Sequence, residues 1–468
     1  MVSDLLIMIS NINCISSIQL SFASNITNAP ADGYITPPLV ANVYGIPYSN
    51  TGTIGTTKKV KVGIFSAGGN WNATDFNDSM SDMGIPITSS SITTISVDES
   101  NPVSFGTQTG YDQENTLDLY CVASIVPTAN IVIFIGNNAS TYSGIVANWN
   151  NIINRMVAEN CDIITISYCI DESVLVANSI GGFLETAFAN ATAKGITILA
   201  ATGDHGAEGN QNEGSLQKSA SYPATSPNVI AVGGTYLSLN SNGTRASEIL
   251  GNSSANIGGF ASGVASGGIS SLFTPAPSWQ SGFTANLYFS GNGYSTGNTT
   301  ITGRGVPDIS APFYNYAVYY GGAGQVYTFA GTSAATPVIA GILARSIGTT
   351  GKRPTLGANT LLPEFYSNST TSFSKFSGTL NLTSGNDIDT ADSEGVGYVA
   401  QSGWDPVTGL GVPIGANLFN LLSAQTTTIK TIDGWAPVSN IYVKTATNTW
   451  SNVRAIYTKT VNGWQQTF

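Results

Sequence analysis

The sequence predicts an open α/β fold in which helices flank a mostly parallel sheet. Short apolar runs of strand length recur along the chain, at 60–65, 131–135, 163–166, 196–200 and 229–232. Each run is apolar almost throughout, which is typical of strands buried on both faces. A helical pattern over 176–193 separates two of them, as in a βαβ unit, and this arrangement favours parallel pairing.

The composition indicates a globular protein with few charges. Among 468 residues, 42% are hydrophobic and only 9% are charged, with 16 Lys and Arg against 27 Asp and Glu. The shortage of basic residues argues against nucleic acid as a partner. A surface with few bases would stay modestly charged in acid, but a neutral polar surface on any exported protein gives the same composition. Both interpretations remain open at this point.

Cysteine spacing, glycosylation sequons and the N-terminal segment bear on where the protein works. Cys14, Cys121, Cys161 and Cys169 show no CxxC spacing, which favours buried thiols or a disulfide over a zinc site. Asn-x-Ser/Thr sequons recur along the chain. The apolar run at 5–9 makes a poor signal peptide, and no stretch is long enough to span a membrane. From the sequons we expect an extracellular protein, secreted or surface-associated.

The C-terminal segment carries a short repeat. Trp435 and Tyr442 recur fifteen residues later as Trp450 and Tyr457, and Gly-Trp pairs follow turn signals. Alternating turn and strand signals predict a small β appendage. A structural role is the favoured interpretation, and contact with a cell surface is the alternative.

One motif has the form of a nucleophile loop. Ser333 lies in Gly-Thr-Ser-Ala-Ala-Thr-Pro, between a strand-like run at 325–330 and a helical pattern through Ile339, Ile342 and Leu343. This placement predicts a serine hydroxyl at a helix N-terminus, where backbone N–H groups stabilise negative charge.

The base that would activate Ser333 is either the single histidine of the chain or a carboxylate. His205 lies in Thr-Gly-Asp-His-Gly after a predicted strand, and the favoured interpretation is a loop histidine without a catalytic role. Glu114 and Asp118 are stronger candidates, because a spacing of four places both carboxylates on one face of a helix. The helical pattern runs over 114–126 and Pro127 ends it.

The environment of these two acids decides their chemistry. The second half of the helix is apolar nearly all round, which predicts a buried helix, and no Lys or Arg occurs between Lys61 and Arg155. Burial and mutual repulsion would raise at least one pKa, so that the pair shares a proton. A solvated pair on a surface helix is the alternative.

Together these residues resemble the sedolisins, serine-carboxyl peptidases of subtilisin-like fold. Glu114 and Asp118 match the family's Glu-x-x-x-Asp element, Ser333 matches its nucleophile and Asp204 matches its oxyanion aspartate. Further matches follow in the family's order, at 34–37, 167–172, 222–224, 232–235, 266–268, 279–280 and 304–308.

The resemblance implies a role for each residue. Glu114 would be the general base toward Ser333, and Asp118 would orient Glu114 and share its proton. Asp204 would donate a hydrogen bond to the tetrahedral intermediate, which requires a protonated carboxyl because an ionised one only accepts hydrogen bonds. Activity at acid pH is therefore implied.

The resemblance also implies one structural calcium ion as cofactor. The implied ligands are the carboxylates of Asp387 and Asp405 and the carbonyls of Ile388, Gln401 and Gly403. From the residues alone, this stretch would be an acidic turn.

Two residues depart from the family pattern, since Cys169 replaces a glycine and His205 replaces a small residue. A prosegment of the usual family size does not fit before Tyr34. We therefore predict an N-terminal extension over 1–33, a remnant of a leader or prosegment, a peptidase domain over 34–424 and the β appendage over 425–468.

The sequence thus predicts a monomeric, acid-acting endopeptidase that hydrolyses polypeptides. A tripeptidyl aminopeptidase of the same family is the first alternative. A catalytically silent surface-binding protein is the second, and it is disfavoured because all four catalytic positions carry chemically competent residues.

Overall fold

The computed structural model describes residues 17–20, 33–46, 59–97, 103–137, 139, 141–208, 218–252, 263–322, 324–350, 358–388, 395–424 and the backbone of short strands within 427–466. Its helices are α1 (Pro37–Val43), α2 (Ala73–Asp82), α3 (Thr109–Ile125), α4 (Tyr142–Ala158), α5 (Glu172–Ala177), α6 (Glu185–Ala193), α7 (Thr332–Thr350), α8 (Ala358–Ser367), α9 (Ser369–Ser372) and α10 (Gly415–Ala424).

A ten-stranded sheet forms the centre of the described chain. Its strands are β1 (Lys61–Ser66), β2 (Thr93–Ser96), β3 (Asn130–Ile135), β4 (Ile163–Ile166), β5 (Thr197–Ala201), β6 (Ile230–Leu239), β7 (Arg245–Leu250), β8 (Ile309–Pro312), β9 (Phe376–Ser377) and β10 (Leu380–Asn381). The spatial order is β9-β10-β7-β6-β5-β4-β1-β3-β2, and β8 pairs with β6. The pairs from β2 through β6 are parallel, whereas β7 runs antiparallel to β6.

The predicted fold class is confirmed. The apolar runs of the sequence coincide with β1, β3, β4 and β5 to within one residue at each end. The last run belongs to a longer strand, since β6 continues to Leu239. Its outer half is only partly buried and pairs with β7, so its pattern is no longer continuously apolar.

The prediction of a single helix over 176–193 is wrong. Two helices occupy this stretch, because α5 ends at Ala177 and α6 begins at Glu185. Ser179 has a left-handed backbone, with φ of 57°, and Gly181 and Gly182 follow it. A left-handed residue followed by two glycines ends a helix despite the apolar periodicity on either side.

Two hydrophobic cores cover the two faces of the sheet. Val62 and Ile64 of β1 belong to one core, and Phe65 of the same strand belongs to the other. The first core holds α3 and α7, whereas the second holds Trp149 of α4 and Phe188 of α6. The fold is therefore layered, with helices on both faces of the sheet.

Helices α3 and α7 pack closely against each other. Gly341 of α7 faces Ile125, and a Cβ atom at position 341 would lie 3.0 Å from the Ile125 Cβ. A glycine at this crossing lets the two backbones approach. The contact brings the helix that carries Glu114 against the helix that begins at Thr332.

Smaller β elements complete the described chain. Ser17–Leu20 pairs antiparallel with Val326–Ala330, which also pairs with Tyr316–Tyr319. Thr284–Phe289 pairs with Tyr294–Thr300 and Val396–Tyr398, and two-residue strands pair at 170–171 with 221–222, 268–269 with 305–306 and 373–374 with 412–413. In the described residues, we find no helix with the length and apolarity needed to cross a membrane.

The C-terminal repeat forms antiparallel hairpins. Thr427–Thr431 pairs with Gly434–Val438, Tyr442–Lys444 with Trp450–Asn452, and Tyr457–Thr460 with Gly463–Gln466. The alternation of turn and strand signals therefore corresponds to real strands. The domain boundaries and the surface contact remain predictions.

The structure decides between buried thiols and a disulfide for three of the four cysteines. Cys121, Cys161 and Cys169 are buried and form no disulfide, and Cys14 lies outside the described residues.

Candidate active site

Ser333 lies at the junction of a strand and a helix. Strand Val326–Ala330 is held by its antiparallel partner Tyr316–Tyr319, and α7 begins at Thr332, so Ser333 is in its first turn. The side chain of Ser333 is fully buried. The N–H groups of a first helical turn have no partner within the helix, and the helix dipole favours negative charge there.

The Ser333 hydroxyl donates a hydrogen bond to Glu114. The distance from Ser333 Oγ to Glu114 Oε2 is 3.0 Å, and a longer contact of 3.4 Å joins Oγ to the Ser167 carbonyl. The other carboxylate oxygen of Glu114, Oε1, is buried and has no hydrogen-bond partner. The acceptor at Ser333 is therefore a carboxylate and not the imidazole of His205.

Asp118 reaches the same place through Ser167. The Ser167 hydroxyl donates to Asp118 Oδ1 at 2.7 Å, and its oxygen also lies 3.4 Å from the carbonyl of Ser333. Asp118 Oδ2 is buried without a partner. Asp118 is thus oriented by a hydroxyl through one of its two oxygens.

Burial raises the pKa of both carboxyls. Glu114 and Asp118 are fully buried, as their apolar helix predicts, and desolvation is the largest cause for each. The charge of Asp118 raises the pKa of Glu114 further, and the charge of Asp204 adds to it. The hydrogen bonds from Ser333 and Ser167 act in the opposite direction on Glu114 and Asp118, respectively.

Asp204 is the third carboxyl of the site. Its Oδ1 accepts a hydrogen bond from the N–H of Thr332 at 2.7 Å, directly beside Ser333, whereas Oδ2 is buried and has no partner. Burial raises its pKa to about 7 although the Thr332 N–H lowers it. In acid, the proton on this carboxyl makes Asp204 a hydrogen-bond donor.

The loop of Asp204 is tied to its surroundings on several sides. The Thr332 hydroxyl accepts the N–H of Gly203 and donates to the Gly203 carbonyl. The carbonyl of Asp204 accepts the N–H of Val264. Gly203 has φ of +103°, a conformation that side chains rarely adopt. The backbone N–H of His205 donates to Ser266 Oγ at 2.9 Å.

The topology of the sheet explains why these residues meet. Ser167 directly follows β4, and Asp204 lies three residues beyond β5. β4 and β5 are parallel neighbours, so their carboxyl ends open at the same edge. The first turn of α7 lies against this edge and brings Ser333 to it.

The start of α3 is anchored by residues that sequence analysis did not select. Asp112 is buried in the first turn, and its two oxygens accept the N–H groups of Asn70 and Gly106, each at 2.7 Å. The side-chain amide of Asn115 donates to the carbonyls of Gly68 and Asn70. An acid in the first turn also suits the helix dipole, and these bonds fix the axis of the helix that carries Glu114.

The residues implied as calcium ligands do not all fit that role. Asp405 is fully buried, and its carboxylate already takes the Lys375 ammonium and four N–H or O–H donors. Asp387 is buried with one unpartnered oxygen, which would suit a cation. The carbonyl of Ile388 accepts the side-chain amide of Asn252 at 3.2 Å. The predicted set therefore lacks a free second carboxylate.

The chain is similar to proteins of one peptidase family. The subtilase family profile matches residues 57–370. Kumamolisin from Bacillus sp. (strain MN-32) is 31% identical over 398 residues, which cover 83% of this chain and 63% of that protein. Human tripeptidyl-peptidase 1 is 33% identical over 254 residues, covering 53% of this chain and 41% of that protein. The matches thus span less than two thirds of these relatives.

A solved structure agrees with this placement. Pseudomonas sedolisin, described as a serine-carboxyl proteinase complexed with two molecules of pseudo-iodotyrostatin, superposes with a TM-score of 0.63 at 25% identity. The match covers 83% of this chain and 97% of the sedolisin chain. The chain therefore belongs to the subtilase family and, within it, to the sedolisins, the serine-carboxyl peptidases of subtilisin-like fold.

Proposed function

We propose that the chain is an acid-acting endopeptidase that uses Ser333, Glu114, Asp118 and Asp204. The observation that carries the proposal is the 3.0 Å hydrogen bond from Ser333 Oγ to the buried carboxylate of Glu114. A nucleophile within hydrogen-bond reach of a base, itself next to an orienting group, is the arrangement that acyl transfer needs.

The reaction follows from these positions. Ser333 Oγ attacks the scissile carbonyl carbon while Glu114 accepts the hydroxyl proton. The carbonyl oxygen becomes an oxyanion, and protonated Asp204 donates a hydrogen bond to it. Glu114 then returns the proton to the leaving amine, and a water molecule, activated by Glu114 in the same way, hydrolyses the acyl-enzyme.

Asp118 is assigned to holding a proton for Glu114. Each acid of the pair has one carboxylate oxygen without a hydrogen-bond partner, Glu114 Oε1 and Asp118 Oδ2, and the two acids lie one helical turn apart. A carboxyl pair in a buried site gives up its first proton more easily than its second, because the second ionisation places two like charges together. Glu114 can therefore be ionised while the pair still holds one proton.

The pKa shifts give the pH dependence its sign. Activity rises with pH as the pair loses its first proton, since Glu114 must be ionised to act as base. Activity falls as pH rises through the pKa of Asp204, about 7, because the oxyanion loses its donor and faces a negative charge instead. The expected profile is bell-shaped with its maximum in acid.

Ser167 is proposed as a positioning residue for this pair. Its hydroxyl lowers the pKa of Asp118, so Ser167→Ala should move the acid limb of the kcat/KM profile to higher pH. At the pH optimum we expect a loss of about 10- to 150-fold, because one hydrogen bond to a charged group contributes roughly 1.5–3 kcal/mol.

The matched control is Ser124→Ala, which removes a buried hydroxyl that donates to the Cys121 carbonyl on the same helix. Its acid limb should coincide with that of the unmodified protein. If the two serine variants shift the limb equally, Ser167 has no special role.

Cleavage products decide between an endopeptidase and a tripeptidyl aminopeptidase. The relatives named tripeptidyl-peptidase 1 support the second candidate. Mass spectrometry of a denatured protein digested in acid should show internal fragments that are absent with Ser333→Ala. Successive tripeptides from the amino terminus would favour the second candidate instead, and no Ser333-dependent product from any protein would refute both.

We also propose that the protein works outside the cell in an acidic environment. The sequons and the scarcity of charged residues support this location.

A further inference from the structure

A buried ion pair lies beyond the catalytic centre. Lys375 follows the short strand Phe373–Ser374, and only 8% of its side chain is exposed. Its ammonium contacts Oδ2 of Asp405, which is fully buried. The pair joins two segments that are 30 residues apart in sequence.

The carboxylate of Asp405 has no acceptor site left for a metal ion. Oδ2 accepts the N–H of Gln401 at 2.7 Å in addition to the lysine. Oδ1 accepts the N–H groups of Val407 and Thr408, at 3.0 and 2.8 Å, and the Thr408 hydroxyl at 3.2 Å. A carboxylate offers about four lone-pair directions, and five donors already converge on this one.

The aliphatic stem of Lys375 packs closely against Gly411. Gly411, with φ of +98°, lies against this residue, and a Cβ there would approach Lys375 Cγ to 2.7 Å and the Ser374 carbonyl to 2.2 Å. Strand Phe373–Ser374 pairs with Val412–Pro413, which fixes both backbones at this contact. The lysine is thus a packed part of the core and not a surface residue folded inward.

Asp387, the other acid predicted for calcium binding, uses one carboxylate oxygen within the protein, whereas the other, Oδ2, is buried without a hydrogen-bond partner. The Oδ1 atom of Asp387 accepts the N–H of Tyr398, and its carbonyl accepts the N–H of Ala207, close behind the Asp204 loop. No group of three or more His, Cys, Asp or Glu side chains suited to a metal occurs within the described ranges.

We propose that the Lys375 ammonium is the internal cation of the Asp405 loop. It does for this carboxylate what the family's calcium ion would do, and the domain is stable without calcium. The charge balance supports this, because a buried carboxylate needs a partner of opposite charge and the lysine supplies one.

Thermal unfolding of the full chain with and without chelator tests the proposal without any reference to activity. The Tm in excess EDTA, in calcium and in magnesium should agree within about 1 °C, because a ligand that does not bind the native state does not stabilise it. A Tm that falls in EDTA and is restored by calcium but not by magnesium would overturn the proposal.

A pair of lysine variants tests the ammonium itself. Lys375→Met keeps most of the apolar stem and removes the charge, and it should lower the Tm by roughly 5–10 °C because Asp405 is left buried and unpaired. Lys59 is exposed, so Lys59→Met is the control and should have the same Tm as the unmodified protein. A Lys375→Met protein with the same Tm as the unmodified protein would refute the role of the ammonium in stabilising Asp405. If this variant does not fold, the chelator comparison on the unmodified protein is the test of the proposal.

Discussion

Replacing Glu114 with glutamine should reduce kcat/KM for peptide hydrolysis by on the order of 10⁴-fold, and adding Ser333→Ala should cost nothing further. Glutamine has nearly the same shape as glutamate and can still accept the 3.0 Å hydrogen bond from Ser333, but it cannot take the proton. Because the serine attacks only as its proton leaves, the two residues act as a unit. The measurement is steady-state hydrolysis of one peptide in acid by each single variant and by the double variant.

Glu185→Gln is the matched control for this prediction. Glu185 is a partly buried carboxyl with a raised pKa, and it accepts hydrogen bonds from the side chains of Tyr222, Ser226 and Asn228. The Glu185→Gln variant should have the same kcat/KM as the unmodified protein. The account is wrong if Glu114→Gln keeps most of the activity, or if the losses in Glu114→Gln and Ser333→Ala multiply in the double variant.

Replacing Asp204 with asparagine should extend activity to higher pH. An amide can accept the Thr332 N–H through one atom and donate to the oxyanion through the other, at any pH. The alkaline limb of the profile, which we place near the pKa of Asp204 at about 7, should therefore move upward. Asp204→Ala has no donor and should lose about 100- to 1000-fold at the optimum.

The stability of the same variant provides an independent readout. Asp204 has a pKa of about 7 in the folded state, against 3.8 for an ordinary aspartate. Its contribution to stability is complete below the lower value and is lost as pH rises through the higher one. The advantage of Asp204→Asn in Tm over the unmodified protein should thus grow between about pH 4 and 7. A constant difference in Tm across this range, with an unmoved alkaline limb, would contradict the assignment.

Much of the site could be predicted because its signals are local. The spacing of Glu114 and Asp118 places both on one face of a helix, and the apolar residues that follow predict that this helix is buried. Ser333 is flanked by a strand pattern and a helix pattern, which place it at their junction. The same periodicity located the parallel strands whose carboxyl ends open at the site.

The remaining features depend on contacts between distant segments. Ser167 is 49 residues from Asp118 and 166 from Ser333, and periodicity carries no information about such pairs. The available signals were its place directly after a predicted strand and its position in the family-like stretch 167–172. The pairing of Lys375 with Asp405 could not be predicted for the same reason, and the resemblance to the sedolisins implied a calcium ion there instead. The break between α5 and α6 was missed because the apolar pattern continues across Ser179 and the two glycines.

The dependence of kcat/KM on pH for one peptide substrate tests the central claim that carboxyls replace the imidazole. The account predicts a bell in acid, with little activity remaining above about pH 8, where Asp204 is ionised. A rate that rises through pH 7 to an alkaline plateau would contradict it, because such a profile requires a base that ionises near neutrality and an oxyanion donor that needs no proton.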